Sequence, residues 1–436
     1  MKKLITVFAT LSFFISAHAL AQENAGLTKT ETQLTRFIDS TNQQALKELE
    51  KIVNINSGTM NFAGVESVAN VLIPEFTELG FNAYFESGEA FGRAGHLIAK
   101  LEGGQGPNLL LIGHLDTVFE LDSPFQGFEL LDNNKAKGPG ISDMKGGNLI
   151  ILQALRALHS VGELQNMNVM VIMTGDEELS GKPLALSKKS LIEGAKWANI
   201  ALGFEDGDGK YTTANISRRG SSDWTLKVSG IPAHSSQIFQ DAVGAGAIFE
   251  GARILHTFYE ELRSEDLLTF NPGRVMGGTS VSNNTKSNSG SSFGKNNVVA
   301  ESFIVTGDIR GLSLEQVKRV QGKMRKIVAQ NLPNTQAEIS FGEGYPPLAP
   351  TSGNKSLLNM YSQISEELGQ GKVIAVNPLN AGAADISFTA EYVSKALDGL
   401  GLSGTGGHTV NETADLNAFP AQSKRAAILM YRLKQQ

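Results

Sequence analysis

The stretch Leu109-Leu110-Leu111-Ile112-Gly113-His114-Leu115-Asp116 is apolar at its start and ends in two polar side chains. An uninterrupted apolar run of this length is typical of a strand in a parallel sheet that is covered on both faces. Two more such runs follow at 168–173 and 200–204, and helical spacing of apolar residues predicts a helix at 148–158. Strands that alternate with helices predict an α/β fold with a mostly parallel sheet.

A different pattern begins near residue 217 and predicts the β-α-β-β-α-β order of a ferredoxin-like domain. Between its second and third strands, the stretch 280–295 is rich in Ser, Asn and Gly and is expected to be a loop. Helix and strand signals of the first kind return after Pro346-Pro347. We therefore expect a catalytic domain in two parts, 22–216 and 345–436, with an inserted α+β lid domain at 217–344. The predicted lid elements are strands at 221–228, 268–276, 298–309 and 336–341 and helices at 242–262 and 313–331.

The first 21 residues have the features of a secretory signal peptide. Lys2-Lys3 is followed by an apolar run at 4–17 and by the small-x-small site Ala19-Leu20-Ala21. The run is too short for a spanning helix, and an N-terminal anchor helix is the alternative. We expect a periplasmic or secreted protein with no membrane anchoring after signal cleavage.

The net charge and the lack of cysteine limit the partners and the bonds that this chain can use. The 436 residues include 38 Lys+Arg and 44 Asp+Glu, so the net charge is −6, and there is no cysteine. A mildly acidic chain without a long basic run disfavours nucleic acid as a partner. The absence of cysteine excludes disulfide bonds, so an exported chain of this kind depends on its core and on any bound metal for stability.

Two polar motifs follow the first apolar strand. His114 and Asp116 are two residues apart, so in extended chain they project to the same side. Asp116 could then hold one ring nitrogen of His114 while the other binds a metal, although an ordinary hydrogen-bonded histidine is an alternative. Asp143 stands before a predicted helix that begins after Gly146-Gly147, and a simple N-cap is the alternative there.

Further carboxylates end the next two strands. Asp176-Glu177-Glu178 follows the second strand and Glu205 follows the third. Ligands bind at this edge of an open α/β sheet, and adjacent carboxylates are costly there unless a cation or proton offsets them. A solvated acidic loop is the alternative for both. With His408 on the glycine-rich loop that begins at Gly404, the set of oxygen and nitrogen donors suits paired Zn²⁺ or a similar divalent ion.

The order and spacing of five motifs resemble those of the co-catalytic zinc exopeptidases of the M20 clan, and most of all its glutamate carboxypeptidase branch. The resemblance covers nearly the whole chain after the signal peptide. It implies two Zn²⁺ per chain that share Asp143, one also bound by His114 and Glu205 and the other by Glu178 and His408. It further implies that Glu177 is the general base and that Asp116 is the partner of His114. The motifs are His114-Leu115-Asp116, Asp143-Met144-Lys145-Gly146-Gly147, Asp176-Glu177-Glu178, Phe204-Glu205 and Gly407-His408.

The inserted domain carries part of the resemblance. Pro232-Ala233-His234-Ser235-Ser236 looks like the lid histidine motif of the family. That likeness implies that His234 stabilises the oxyanion in the neighbouring subunit of a homodimer formed through the lid. Asn297 and Arg310 resemble positions that contact the substrate carboxylate. Ala300 stands where the family usually has proline, and this departure bears on substrate choice.

The expected function is an exported di-zinc metallohydrolase that cleaves an amide bond next to a free C-terminal carboxylate, as glutamate carboxypeptidases do. Its substrate would be a peptide or an N-acyl amino acid. A dipeptidase and an N-acyl amino acid deacylase are the nearest alternatives. A non-catalytic periplasmic binding protein on the same scaffold is disfavoured, because the base candidate and all five ligand candidates are present.

Overall fold

The computed structural model describes residues 26–132, 134–285 and 287–436, which form two compact units. The first unit contains the described residues up to Ile216, with Pro350–Asn380 and Ala384–Gln436, and the second contains Ser217–Ala349 and Ala381–Ala383. The predicted signal peptide lies outside the described residues. Within the described part of the chain, no helix is long and apolar enough to cross a membrane.

Helices and strands alternate along the chain. Before the second unit they are α1 (Lys29–Val53), α2 (Phe62–Glu78), β1 (Asn82–Ser87), β2 (Gly95–Leu101), β3 (Asn108–His114), β4 (Glu129–Asp132), β5 (Lys135–Lys137), α3 (Gly146–Ser160), β6 (Asn168–Thr174), α4 (Leu184–Ser187), α5 (Lys189–Trp197), β7 (Ile200–Gly203) and β8 (Thr213–Ala214). The second unit contains β9 (Ser222–Ser229), α6 (Gly246–Leu262), β10 (Thr269–Gly278), β11 (Ser280–Asn284), β12 (Ser289–Phe293), β13 (Ser302–Arg310), α7 (Leu314–Val328) and β14 (Gln336–Phe341). The remainder of the first unit adds α8 (Ser352–Glu367), β15 (Ile374–Ala375), β16 (Lys395–Leu397), β17 (Gly404–Thr405), β18 (Thr413–Asp415) and α9 (Ala418–Lys434).

The first unit is built on a six-stranded sheet in the order β1-β2-β6-β3-β7-β16. Strands β6, β3, β7 and β16 run parallel, whereas β1 and β2 pair antiparallel at one edge. Strands β3 and β6 are buried from their second residue to their last, as their apolar sequences predict. The α/β class with a mostly parallel main sheet is therefore confirmed, and the antiparallel edge is an addition to it.

The register of the central strands brings their carboxyl ends to one edge of the sheet. His114, the last residue of β3, pairs with Thr174, the last residue of β6. Ile112 of β3 pairs with Gly203, the last residue of β7. The residues that follow these strands therefore emerge side by side, as expected for the ligand-binding edge of such a sheet.

The second unit is a four-stranded antiparallel sheet in the order β10-β13-β9-β14. Helices α6 and α7 connect its strands in the β-α-β-β-α-β order of the ferredoxin-like plan. Its own core includes Trp224 of β9 and Phe258 of α6, whose rings meet edge to face at 6.1 Å. The unit thus has a hydrophobic core of its own, separate from that of the first unit.

Two details of the second unit differ from the sequence prediction. The stretch 280–295 is not a loop, because β11 and β12 form a hairpin from Ser280↔Phe293 to Asn284↔Ser289. Most residues of this hairpin are exposed, so it lacks the apolar face by which a strand is recognised in a sequence. Residues 345–349 also belong to this unit, because Tyr345 and Leu348 pair with Ser221 and Arg218.

Candidate metal centre

His114 is buried among carboxylates at the end of β3. Its Nε2 lies 3.2 Å from Oδ1 of Asp143 and 3.6 Å from Oε1 of Glu205. Its Nδ1 donates to the backbone carbonyl of Asp116 at 3.0 Å and lies 3.5 Å from the carboxylate of that residue. Burial by itself would lower the pKa of His114, but the charge of Glu205 and the hydrogen bonds with Asp116 and Asp143 raise it well above its usual value. The ring is therefore fixed through both nitrogens.

Asp143 lies between two histidines. Its Oδ1 faces His114 as described, and its Oδ2 lies 3.0 Å from Nε2 of His408. The same His408 nitrogen is 3.2 Å from Oε2 of Glu178. Hydrogen bonds to Asp143 and Glu178 raise the pKa of His408 to about 11. One carboxylate that offers one oxygen to each of two ligand clusters has the arrangement required to bridge two cations.

The loop that presents Asp143 is not a helix cap. Asp143 has non-helical backbone angles, with φ of −113° and ψ of 90°, and the N-cap position of α3 is occupied by Lys145 without a capping side chain. The N-cap alternative for Asp143 is therefore wrong. The glycines that follow allow this loop to lie close to the end of β7, since a Cβ added at Gly147 would be 2.0 Å from the carbonyl oxygen of Phe204. That close approach brings Asp143 near Glu205.

Asp116 organises two parts of the site. Besides contacting His114, its carboxylate accepts hydrogen bonds from the backbone N–H groups of Glu177 at 3.1 Å and Glu178 at 3.2 Å. The hydroxyl of Thr59 donates a further bond of 2.7 Å. Sequence reasoning identified the link to His114 but missed the bonds to the acidic pair, because they depend on the register of β3 against β6 and not on spacing along the chain.

The three consecutive carboxylates after β6 have different environments. Asp176 is buried and is 2.8 Å from Nζ of Lys188, which also lies 3.0 Å from Asp385. All three side chains are almost completely buried. Burial would lower the pKa of Lys188, but Asp385 and Asp176 raise it above its usual value. Asp176 thus has a protein cation of its own, and sequence reasoning missed both Lys188 and Asp385, which carry no motif.

Glu177 and Glu178 belong to two different groups of potential ligands. Within each group, the ligand atoms all lie within 4.8 Å of one another. One group is His114, Asp143 and Glu178, and the other is His114, Glu177 and Glu205. Burial and then the charge of Glu205 raise the pKa of Glu177 well above its usual value, and burial also raises the pKa of Glu178. Crowded carboxylates with imidazole nitrogens fit divalent ions of the zinc type, since such ions offset the repulsion and accept these donors. Neither residue lies on a solvated acidic loop.

The second unit contains three of the predicted site residues, His234, Asn297 and Arg310. The Nδ1 of His234 lies 2.9 Å from the hydroxyl of Ser236. The neighbouring N–H of Ser235 donates to the carbonyl of Asn297, so the His234 and Asn297 segments are adjacent. Arg310 is the last residue of β13 and donates from Nε to Asp308 at 2.9 Å.

Known proteins resemble this chain in both sequence and fold. The family model for Peptidase family M20/M25/M40 matches residues 110–432. Carboxypeptidase G2 of Pseudomonas sp. (strain RS-16) is 28% identical over 427 residues, which cover 96% of this chain and 95% of that protein. The aminopeptidase PepT of Bacillus cereus has a TM-score of 0.69 at 18% identity and covers 91% of this chain and 99% of its own. An M20 family metallo-carboxypeptidase of Sulfolobus solfataricus has a TM-score of 0.63 at 17% identity, with 90% and 99% coverage.

Proposed function

The chain belongs to peptidase family M20/M25/M40 and is a hydrolase of peptide or amide bonds, and on this basis we propose that it is an exported di-zinc carboxypeptidase. The bond cleaved would be the amide next to a free C-terminal carboxylate. Likeness to carboxypeptidase G2 along almost the whole chain supports this substrate class. The signal-peptide features of residues 1–21 support export to the periplasm or the medium.

The observation that carries the proposal is the position of Asp143 between His114 and His408. Asp143 would bridge two Zn²⁺, one also held by His114 and Glu205 and the other by Glu178 and His408. The contacts from His114 to Glu205 and from His408 to Glu178 support this division of the ligands. When bound, such a pair of ions lowers the pKa of a water molecule and polarises the carbonyl that is attacked.

Glu177 would be the general base. It is half-buried next to Glu205 and His114, and its neighbour Glu178 contacts His408. This difference supports Glu177 as base and Glu178 as ligand. The Glu177 carboxylate takes a proton from the attacking water and delivers it to the leaving amine. Asp116 holds the backbone of both residues and so sets where the base lies.

The second unit would supply the groups that contact substrate. Arg310 and Asn297 would bind the substrate carboxylate, since a guanidinium can form two parallel hydrogen bonds with it. His234 would offset the charge on the tetrahedral oxygen, in the active site of the partner in a homodimer. Exposed aromatic rings on this unit support a contact with a second copy, because Phe239 and Phe249 are 67% and 54% exposed and lie 5.7 Å apart.

A hydrolysis screen tests this function against its alternatives. Both an aminopeptidase and a carboxypeptidase share this fold, so the fold does not decide which end of a peptide is recognised. Zinc-reconstituted enzyme is offered peptides and N-acyl amino acids whose C-terminus is either free or amidated. The proposal predicts cleavage of the last residue only when its carboxylate is free. Cleavage of amidated substrates at an equal rate would refute it, and restriction to dipeptides or to N-acyl amino acids would favour a dipeptidase or a deacylase.

A further inference from the structure

We propose that Glu412 is a positioning residue for the metal centre. Its side chain holds the Asp143 loop in place relative to the His408 loop. The inference rests on the proposed role of Asp143 and His408 as metal ligands. No motif in the sequence points to Glu412, and its role follows from its hydrogen bonds alone.

The carboxylate of Glu412 is completely buried and accepts four hydrogen bonds from the Asp143 loop. Its Oε1 accepts from the N–H of Ser142 at 2.9 Å, the hydroxyl of Ser142 at 3.1 Å and the N–H of Asp143 at 3.1 Å. Its Oε2 accepts from the N–H of Gly140 at 2.9 Å. Three backbone N–H groups of one loop are thereby held by a single side chain, and one of them belongs to the proposed bridging ligand, Asp143.

Glu412 lies four residues after His408, on the same compact loop. Within that loop, the N–H of Thr409 donates to the carbonyl of Gly406, and the N–H of Glu412 donates to the carbonyl of Thr409. His408 has a left-handed backbone conformation, with φ of 61°, that turns the chain at this point. A displacement of Glu412 would therefore shift His408 and the Asp143 loop relative to each other.

Two strands anchor this arrangement. Strand β18 begins directly after Glu412 and pairs with β5, which ends directly before the Asp143 loop. The N–H of Gly138 also contacts the carbonyl oxygen of Glu412 at 3.4 Å. The strand pairing brings the two loops next to each other, and the hydrogen bonds of the Glu412 carboxylate fix the backbone around the proposed ligand Asp143. Groups that orient metal ligands in this way change metal affinity when they are altered.

The chemistry of the site favours a carboxylate over its neutral isostere. A carboxylate accepts on both oxygens, so it serves four donors at once. In Glu412→Gln, the amide NH₂ would face either the N–H of Gly140 or the three donors around Ser142, and donors would oppose donors. The mismatch would displace the Asp143 loop and weaken cation binding without removing any proposed ligand.

The test compares zinc affinity in Glu412→Gln and in a matched control. Glu31→Gln makes the same substitution at another buried glutamate of this unit, which binds Arg432 and caps α1. Metal-stripped wild type and both variants are titrated with Zn²⁺ in competition with a chelator, and thermal unfolding is recorded for each. We expect Glu412→Gln to weaken the binding of Zn²⁺ by about ten- to a hundredfold, whereas Glu31→Gln keeps wild-type affinity even where it lowers the unfolding temperature.

Unchanged affinity in folded Glu412→Gln would overturn the inference, as would an equal loss in Glu31→Gln. If wild type itself binds no Zn²⁺, the proposed metal centre fails, and this result is distinct from failure of the positioning role. If Glu412→Gln does not fold, Ser142→Ala replaces it, because that change removes only the hydroxyl donor to Glu412. A loss of about threefold or more in Ser142→Ala then supports the role, and wild-type affinity refutes it.

Discussion

Glu177 and Glu178 are neighbours in sequence, yet the proposed mechanism gives them different tasks, and exchanging each for glutamine separates these tasks. Glu177→Gln keeps the shape of the side chain and removes its ability to accept a proton. Glu178→Gln weakens a ligand that lies 3.2 Å from His408. The first variant should be inactive with its metal retained, and the second should lose metal.

The size of the effect at Glu177 follows from its surroundings. The side chain is half-buried, and desolvation and the charge of Glu205 raise its pKa, which suits a general base. Loss of a general base lowers kcat by about a hundredfold to ten-thousandfold. That range corresponds to about 3–5 kcal/mol of transition-state stabilisation. Metal content should hardly change, since the variant relieves the repulsion with Glu205 and leaves all five proposed ligands intact.

The assay measures kcat on a substrate with a free C-terminal carboxylate and, on the same preparations, metal content by elemental analysis. Each variant serves as the control for the other, because the two changes are chemically identical and adjacent. The reasoning is refuted if Glu177→Gln loses metal while Glu178→Gln retains it. A Glu177→Gln enzyme with wild-type kcat would equally refute the assignment of the base.

Three further predictions concern charge, protons and subunits. Lys188→Met should lower the free energy of unfolding by about 3–5 kcal/mol, because two buried aspartates lose their cation. A denaturant titration measures this free energy, and a value equal to that of wild type would contradict the account of this ion cluster. The pKa values of His114 and His408 are raised, and metal ligands must be neutral imidazoles, so Zn²⁺ binding to the stripped protein should release protons and should tighten as pH rises. Calorimetry in buffers of different ionisation enthalpy measures this release, and finding none would disprove the prediction. Mixing inactive His234→Ala chains with inactive Glu177→Gln chains should restore activity through the one intact site of a mixed dimer, and confirmed subunit exchange without activity would exclude action across the interface.

Much of the fold could be predicted from the sequence because its central strands are buried on both sides. The runs that became β3, β6 and β7 contain almost no polar residue, so their assignment needed no knowledge of partners. The family resemblance, carried by motifs directly after these strands, is confirmed by the family match over residues 110–432. The hairpin of β11 and β12 could not be predicted, since its mostly exposed Ser, Asn and Gly residues give no periodic apolar signal.

The parts of the site that the sequence did not predict are contacts between distant segments. Lys188 and Asp385 meet although 197 positions separate them, and Glu412 binds Ser142 across 270 positions. Lys188, Asp385 and Glu412 are ordinary charged residues in sequence and belong to none of the motifs. Only the folded chain shows that they are buried and which charges they offset. Sequence patterns therefore indicate the proposed ligands better than the residues that hold them.

The central claim is that Asp143 bridges two metal ions, and elemental analysis of wild type and Asp143→Ala after zinc reconstitution tests it most directly. Wild type should contain about two equivalents of zinc per chain. Asp143→Ala should lose both together, because each ion loses an oxygen ligand, while circular dichroism shows a folded protein. Retention of two tightly bound ions by folded Asp143→Ala would contradict the bridging role, and wild type with a single equivalent would contradict the two-metal centre itself.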